Sequence, residues 1–124
     1  MRKLSAGLAG IFVTGMLMTG SAQALPKFVT TYVFYSGTQA IGQSILYCNG
    51  VRQHWGEAVS TNLDNAVSVT YSCVTGDAMR VGYPTGIDPW VKQNFCSTSA
   101  ACEVGPWPIP GAGTLLNGSY SDIP

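Results

Sequence analysis

His54 is the only histidine in the 124-residue sequence, and it is the first residue to weigh as a catalytic group. Acid–base and nucleophilic catalysis need such a side chain held against a partner. A His-Ser-Asp set can be assembled from His54, one of many serines, and Asp64, Asp77 or Asp88, yet no serine sits in a nucleophile-elbow motif. His54 therefore reads as a strand residue at a sheet edge, and no catalytic residue is expected. Zinc would need Cys-x-x-Cys pairs or spaced histidines, and neither occurs, so no metal or cofactor is expected. Glycoside hydrolysis needs two carboxyl groups held about 5 to 10 Å apart, a condition that scattered acids leave open.

The aromatic residues point to contact instead of chemistry. Trp55, Trp90 and Trp107, with His54 and Arg52 nearby, are the candidate binding residues of a chain that also carries six tyrosines. Trp107 lies in Gly105-Pro106-Trp107-Pro108-Ile109-Pro110, which favours polyproline II and cannot join a sheet interior. It is expected to be exposed or to latch back across a groove. Asn117-Gly118-Ser119 has the spelling of a glycosylation sequon, a short motif of low specificity.

These residues have to be positioned by elements, and the first segment is not one of them. Arg2 and Lys3, the apolar run Leu8 to Met18, and Ala22-Gln23-Ala24 have the three-part layout of an export signal, with cleavage expected before Leu25. Glycines and threonines break the run before it reaches membrane-spanning length. The expected organisation is a signal peptide over 1–24, an antiparallel β core over 25–75, and a loop-rich extension with a proline-rich tail over 76–124. A secreted or periplasmic location follows. Residues 25–124 carry Lys27, Arg52, Arg80 and Lys92 against Glu57, Asp64, Asp77, Asp88, Glu103 and Asp122, a net charge of −2. Such a chain lacks the basic stripe of a nucleic-acid binder and the basic amphipathic helix of a membrane-surface binder. No stable membrane anchor is expected after signal cleavage.

The fold class predicted is mainly β, a small antiparallel sheet or sandwich stabilised by disulfides. Phe28 to Tyr35 alternates with partly apolar residues on both faces, as a central strand does. Asn49-Gly50 predicts a two-residue type I′ hairpin within Ser44 to Trp55. That register sets Cys48 opposite Val51, Leu46 opposite Gln53 and Ser44 opposite Trp55 on a core face. Tyr47 opposite Arg52, a cation–π geometry, and Ile45 opposite His54 then share the other face. Val67 to Cys73 alternates strictly, with Val67, Val69, Tyr71 and Cys73 inward. Two inward cysteines on neighbouring strands can bond, so Cys48 pairs with Cys73, leaving Cys96 with Cys102. After Gly76, prolines and glycines predict mostly loop, and Gly111 to Pro124 is polar enough to be disordered.

Phe34-Tyr35-Ser36, Gly42, Tyr47-Cys48-Asn49-Gly50, Trp55-Gly56 and Tyr71-Ser72-Cys73 together resemble a family of short bacterial exported proteins classed as a domain of unknown function. The resemblance covers about residues 28–75. It departs from the pattern at Gly37, where an acidic residue is expected, and it does not extend past Gly76. It implies a small exported domain with one disulfide across the hairpin and supplies no activity. The function expected is that of a non-catalytic binding or structural module with a protein or glycan partner. The alternatives are a secreted peptide precursor with a processed tail and a small exported hydrolase using His54.

Overall fold

The computed structural model describes residues 25–74, 79–103 and 106–123. The signal-peptide reading of 1–24 lies outside the described residues. Strands β1 (Phe28–Ser36), β2 (Gln39–Leu46), β3 (Arg52–Gly56), β4 (Ala66–Ser72), β5 (Arg80–Gly82) and β6 (Leu116–Asn117) form one sheet in the order β5-β4-β1-β2-β3-β6, antiparallel at every contact. The two-faced run from Phe28 is the central strand, paired on one side with β2 and on the other with β4.

Alternation along β1 divides the sheet into two unequal faces. Val29, Val33 and Tyr35 join Trp55, Val67, Val69 and Tyr71 in the main core. Phe34 points the other way into a small cluster with Ala58 and Ala66. One extra residue, Ile41, opens a bulge between the Phe34–Gly42 and Tyr35–Ala40 pairs, and Ile41 packs on this second cluster.

The main core is closed by an element that the composition concealed. The stretch expected as loop contains helix α1 (Pro89–Thr98), which buries Val91 and Phe95 against the sheet. Asp88 caps it by accepting the Trp90 N–H at 2.8 Å, and Pro89 occupies the first turn, where a missing N–H costs nothing. Phe95 meets Tyr35 and Tyr83 edge-on, with ring centroids 6.3 and 6.2 Å apart.

The Asn49-Gly50 hairpin forms with a different loop. Ladder pairs run Leu46–Arg52, Ile45–Gln53, Ser44–His54 and Gln43–Trp55, one residue away from the two-residue expectation. The Gly50 N–H bonds the Tyr47 carbonyl, the Tyr47 N–H bonds the Val51 carbonyl, and Gly50 takes φ +86°. This is a three-residue loop, a turn followed by one left-handed residue. Asn49 Oδ1 accepts the Val51 N–H at 3.0 Å and so serves the turn with its side chain. Trp55 consequently shares its face with Gln43, not Ser44, and Arg52 opposes Leu46, which removes the Tyr47–Arg52 pair. A true two-residue loop does occur, at Gly37-Thr38 between the Ser36–Gln39 pair, with Gly37 at φ +61°.

Both disulfides form as expected, Cys48–Cys73 and Cys96–Cys102. The first does not join neighbouring strands. Cys48 and Cys73 lie just beyond β2 and β4, which flank β1, and their Cα atoms are 5.8 Å apart. Strands two apart in a regular sheet are separated by roughly 9.5 Å. The chain ends must therefore converge across the start of β1, on the core side where both cysteines pack.

Gly42 and Gly56 are cross-strand partners at a close approach of main chains. A Cβ on Gly42 would lie 2.6 Å from the Glu57 nitrogen, whereas one on Gly86 would meet only the Asp64 carbonyl at 3.6 Å. Gly42→Ala is expected to lower unfolding free energy by about 2 kcal/mol or more, and Gly86→Ala by much less, both read from chemical denaturation. Equal costs would show that the approach is not tight.

Burial pushes Tyr35 up to about 12, helped by Tyr83 alongside, and burial alone does the same to Tyr71. The folded chain keeps these protons when the unfolded chain, with tyrosines near 10, has lost them. Stability is thus fully present below about pH 10 and falls between about pH 10 and 12. The Tyr71 hydroxyl finds no hydrogen-bond partner among the described residues. Tyr71→Phe should be neutral or stabilising at pH 7 and should flatten the alkaline fall, as followed by denaturation midpoint and phenolate absorbance.

Candidate functional site

Strand β3 sends its candidate residues to opposite sides of the sheet. Trp55 enters the main core and is 7% exposed, while Arg52 and His54 project to the second face. Trp90 stands exposed on the first turn of α1, and Trp107 is partly exposed on the proline-rich segment. The five residues therefore do not form one patch. Trp55 and Trp107 are connected through the core, while His54 lies beneath the C-terminal segment and Arg52 is exposed beside it.

The connection through the core is Gln43, fully buried and one residue outside the Ser44 to Trp55 hairpin that the sequence predicts. Gln43 Nε2 donates to Thr31 Oγ1 and to the Trp107 carbonyl, both at 3.3 Å. Its Oε1 accepts the Trp55 indole N–H at 3.1 Å and the Ile109 N–H at 3.0 Å. The Trp107 indole in turn donates to the Ala100 carbonyl at 3.1 Å. The proline-rich segment thus latches over the core face, as its composition suggested, and Ile109 is buried there. A lone Gln between Gly42 and Ser44 carries no sequence signal of this role.

On the second face, the residues expected to be disordered form a belt. The Gly118 N–H bonds the Arg52 carbonyl at 3.0 Å, and the Ser121 N–H bonds the Ala58 carbonyl at 2.7 Å. Tyr120 meets Phe34 edge-on at 6.4 Å. Asp122 accepts the Ser60 N–H at 3.1 Å and the Ser60 hydroxyl at 2.7 Å, and these donors hold its carboxyl below the usual range. Arg52 Nη1 donates to Ser119 Oγ at 3.2 Å.

His54 is 5% exposed, and its Nδ1 lies 2.9 Å from the Gly118 carbonyl. A carbonyl only accepts, so Nδ1 is the donor in this bond. Its cross-strand neighbour Ser44 is also 5% exposed. The imidazole is a potential base, but its fixed nitrogen holds the belt to β3. Among the described residues, no group of three or more His, Cys, Asp or Glu side chains is placed to hold a metal ion, and all four cysteines are spent in disulfides.

Compared with protein-family models, curated proteins and solved structures, the chain has no match.

Gln43→Ala would leave the Trp55 and Ile109 N–H groups buried without an acceptor. A loss of about 3 kcal/mol or more is expected, together with red-shifted tryptophan fluorescence as the proline-rich segment lifts. Gln43→Glu retains the acceptors but loses the donors to Thr31 and Trp107, so it should recover only part of the loss.

Proposed function

We propose that this chain is an exported, disulfide-stabilised module that works by contact with a partner and not by catalysis. The observation that carries the reading is the placement of His54, the chain's only histidine, buried under the C-terminal belt with Nδ1 given to the Gly118 carbonyl. A histidine so placed serves the fold. Two disulfides, and no helix among the described residues long and apolar enough to cross a membrane, are compatible with a site outside the cytoplasm. A secreted or periplasmic location is the finer reading that the leader supports. Release of the tail as a peptide would take Ile109 from the core and β6 from the edge of β3, which weighs against a precursor.

The test compares the wild-type chain with His54→Ala. The expected result is a melting temperature lowered by several degrees, in line with one lost partly buried hydrogen bond, and no turnover by either protein on chromogenic ester, peptide and glycoside panels. Turnover by the wild-type chain that disappears in His54→Ala, with melting unchanged, would overturn the reading in favour of a hydrolase.

A further inference from the structure

The end of the sheet sealed by Cys48–Cys73 gathers apolar side chains that the core does not use. Leu25 and Phe28 precede and begin β1, Val51 leads into β3, and Val74 follows Cys73; they are 67, 63, 45 and 62% exposed. Three connections bring them to one end. Phe28 pairs with Ser72, the Cys73 N–H bonds the Lys27 carbonyl at 2.8 Å, and the disulfide ties Cys48, three residues before Val51, to Cys73. The result is an exposed tip of the sheet built from a hairpin loop and strand ends.

Charge is divided along the same axis. Lys27 and Arg80, both exposed, stand at the tip, Lys27 just before β1 and Arg80 opposite Thr70 near the end of β4, whereas Arg52 at the start of β3 turns to the belt, where its Nη1 donates to Ser119 Oγ. Glu57 and Asp64 lie at the other end, beyond Gly56 and before β4, and Asp122 is bonded there to Ser60. Asp77 lies outside the described residues. Cleavage before Leu25 would add an ammonium group at the tip.

We infer that this tip docks on an anionic lipid bilayer, with the apolar side chains in the headgroup layer and the cations against lipid phosphates. Apolar insertion flanked by basic groups is the chemistry of reversible membrane-surface binding. A tip with four apolar side chains is small against the roughly 800 Å² that each partner buries in a stable protein interface. The sequence holds no basic amphipathic helix; separated segments assemble the property here. The inference rests on the contact reading and names its partner. Absence of lipid binding would leave that reading intact with another partner, and turnover would remove it.

The experiment is flotation of the full mature chain with phosphatidylcholine vesicles, with and without phosphatidylglycerol, at low and high salt. Binding is expected only with the anionic lipid and is expected to fade with salt. Phe28→Ser combined with Val74→Ser should abolish it with melting unchanged. Lys27→Gln and Arg80→Gln should each weaken it roughly fivefold, and Trp90→Ala should have no effect. The proposal fails if the wild-type chain does not float, if it binds neutral vesicles equally, or if the Phe28/Val74 variant binds as well as wild type. It also fails if those two substitutions instead dissolve a dimer seen by light scattering, which would assign the tip to a second copy of the chain.

Discussion

The carboxamide of Gln43 is the contact on which the closed core depends. It bonds the Trp107 carbonyl through Nε2 and the Ile109 N–H through Oε1, an acceptor and a donor two residues apart. The N–H and C=O of one strand residue make the same pair of bonds to a parallel neighbour. Pro108 lies between them and has no N–H to satisfy, so a segment unable to join the sheet by its own backbone is held by a side chain that imitates one. The same amide receives the Trp55 indole and reaches Thr31, whose hydroxyl donates to the Ser44 carbonyl at 2.7 Å. With all its bonds made, a buried polar group of this kind fixes one arrangement and penalises the others.

Two covers of different kind follow from the unequal faces of the sheet. The deep face, rich in valine, is closed by α1 through Val91 and Phe95, by the 3-10 turn Ala100–Cys102 through Ala101, and by the proline-rich segment through Ile109. The shallow face has only Phe34, Ala58 and Ala66 at its centre, so it takes a narrow belt fastened mainly by hydrogen bonds. The rest of that face carries Thr30, Ser68, Thr70 and Ser72, with Thr30 and Thr70 hydroxyls 3.1 Å apart. The belt and the latch both come from the last third of the chain, so the β core and the extension share one fold.

Local periodicity made the strands legible, because Val67, Val69 and Tyr71 are buried in alternation as their pattern states, and Phe28 to Tyr35, apolar on both faces, buries Val33, Phe34 and Tyr35 in succession as a central strand does. The cysteine pairing was also legible, although its premise of adjacent strands was not met. The hairpin register was lost by one residue because Asn-Gly fits more than one loop, and the choice was made by Gly50 and the Asn49 side chain. Asp88-Pro89 followed by Val91 and Phe95 is a readable helix start, obscured by the surrounding prolines and glycines. Gln43, the belt and the apolar tip were not readable, since each depends on residues brought together from distant parts of the chain.

The Cys48–Cys73 bond joins the chain beyond the two neighbours of β1 and includes no residue of β1 itself. The sulfurs come within reach when both flanking strands are seated along the central one and their ends have bent toward each other. Oxidation of this pair is therefore a report that the middle of the sheet has been assembled in the right order. Once made, the bond is a clasp around the first strand, so that strand cannot be drawn sideways into another chain's sheet without the clasp being opened.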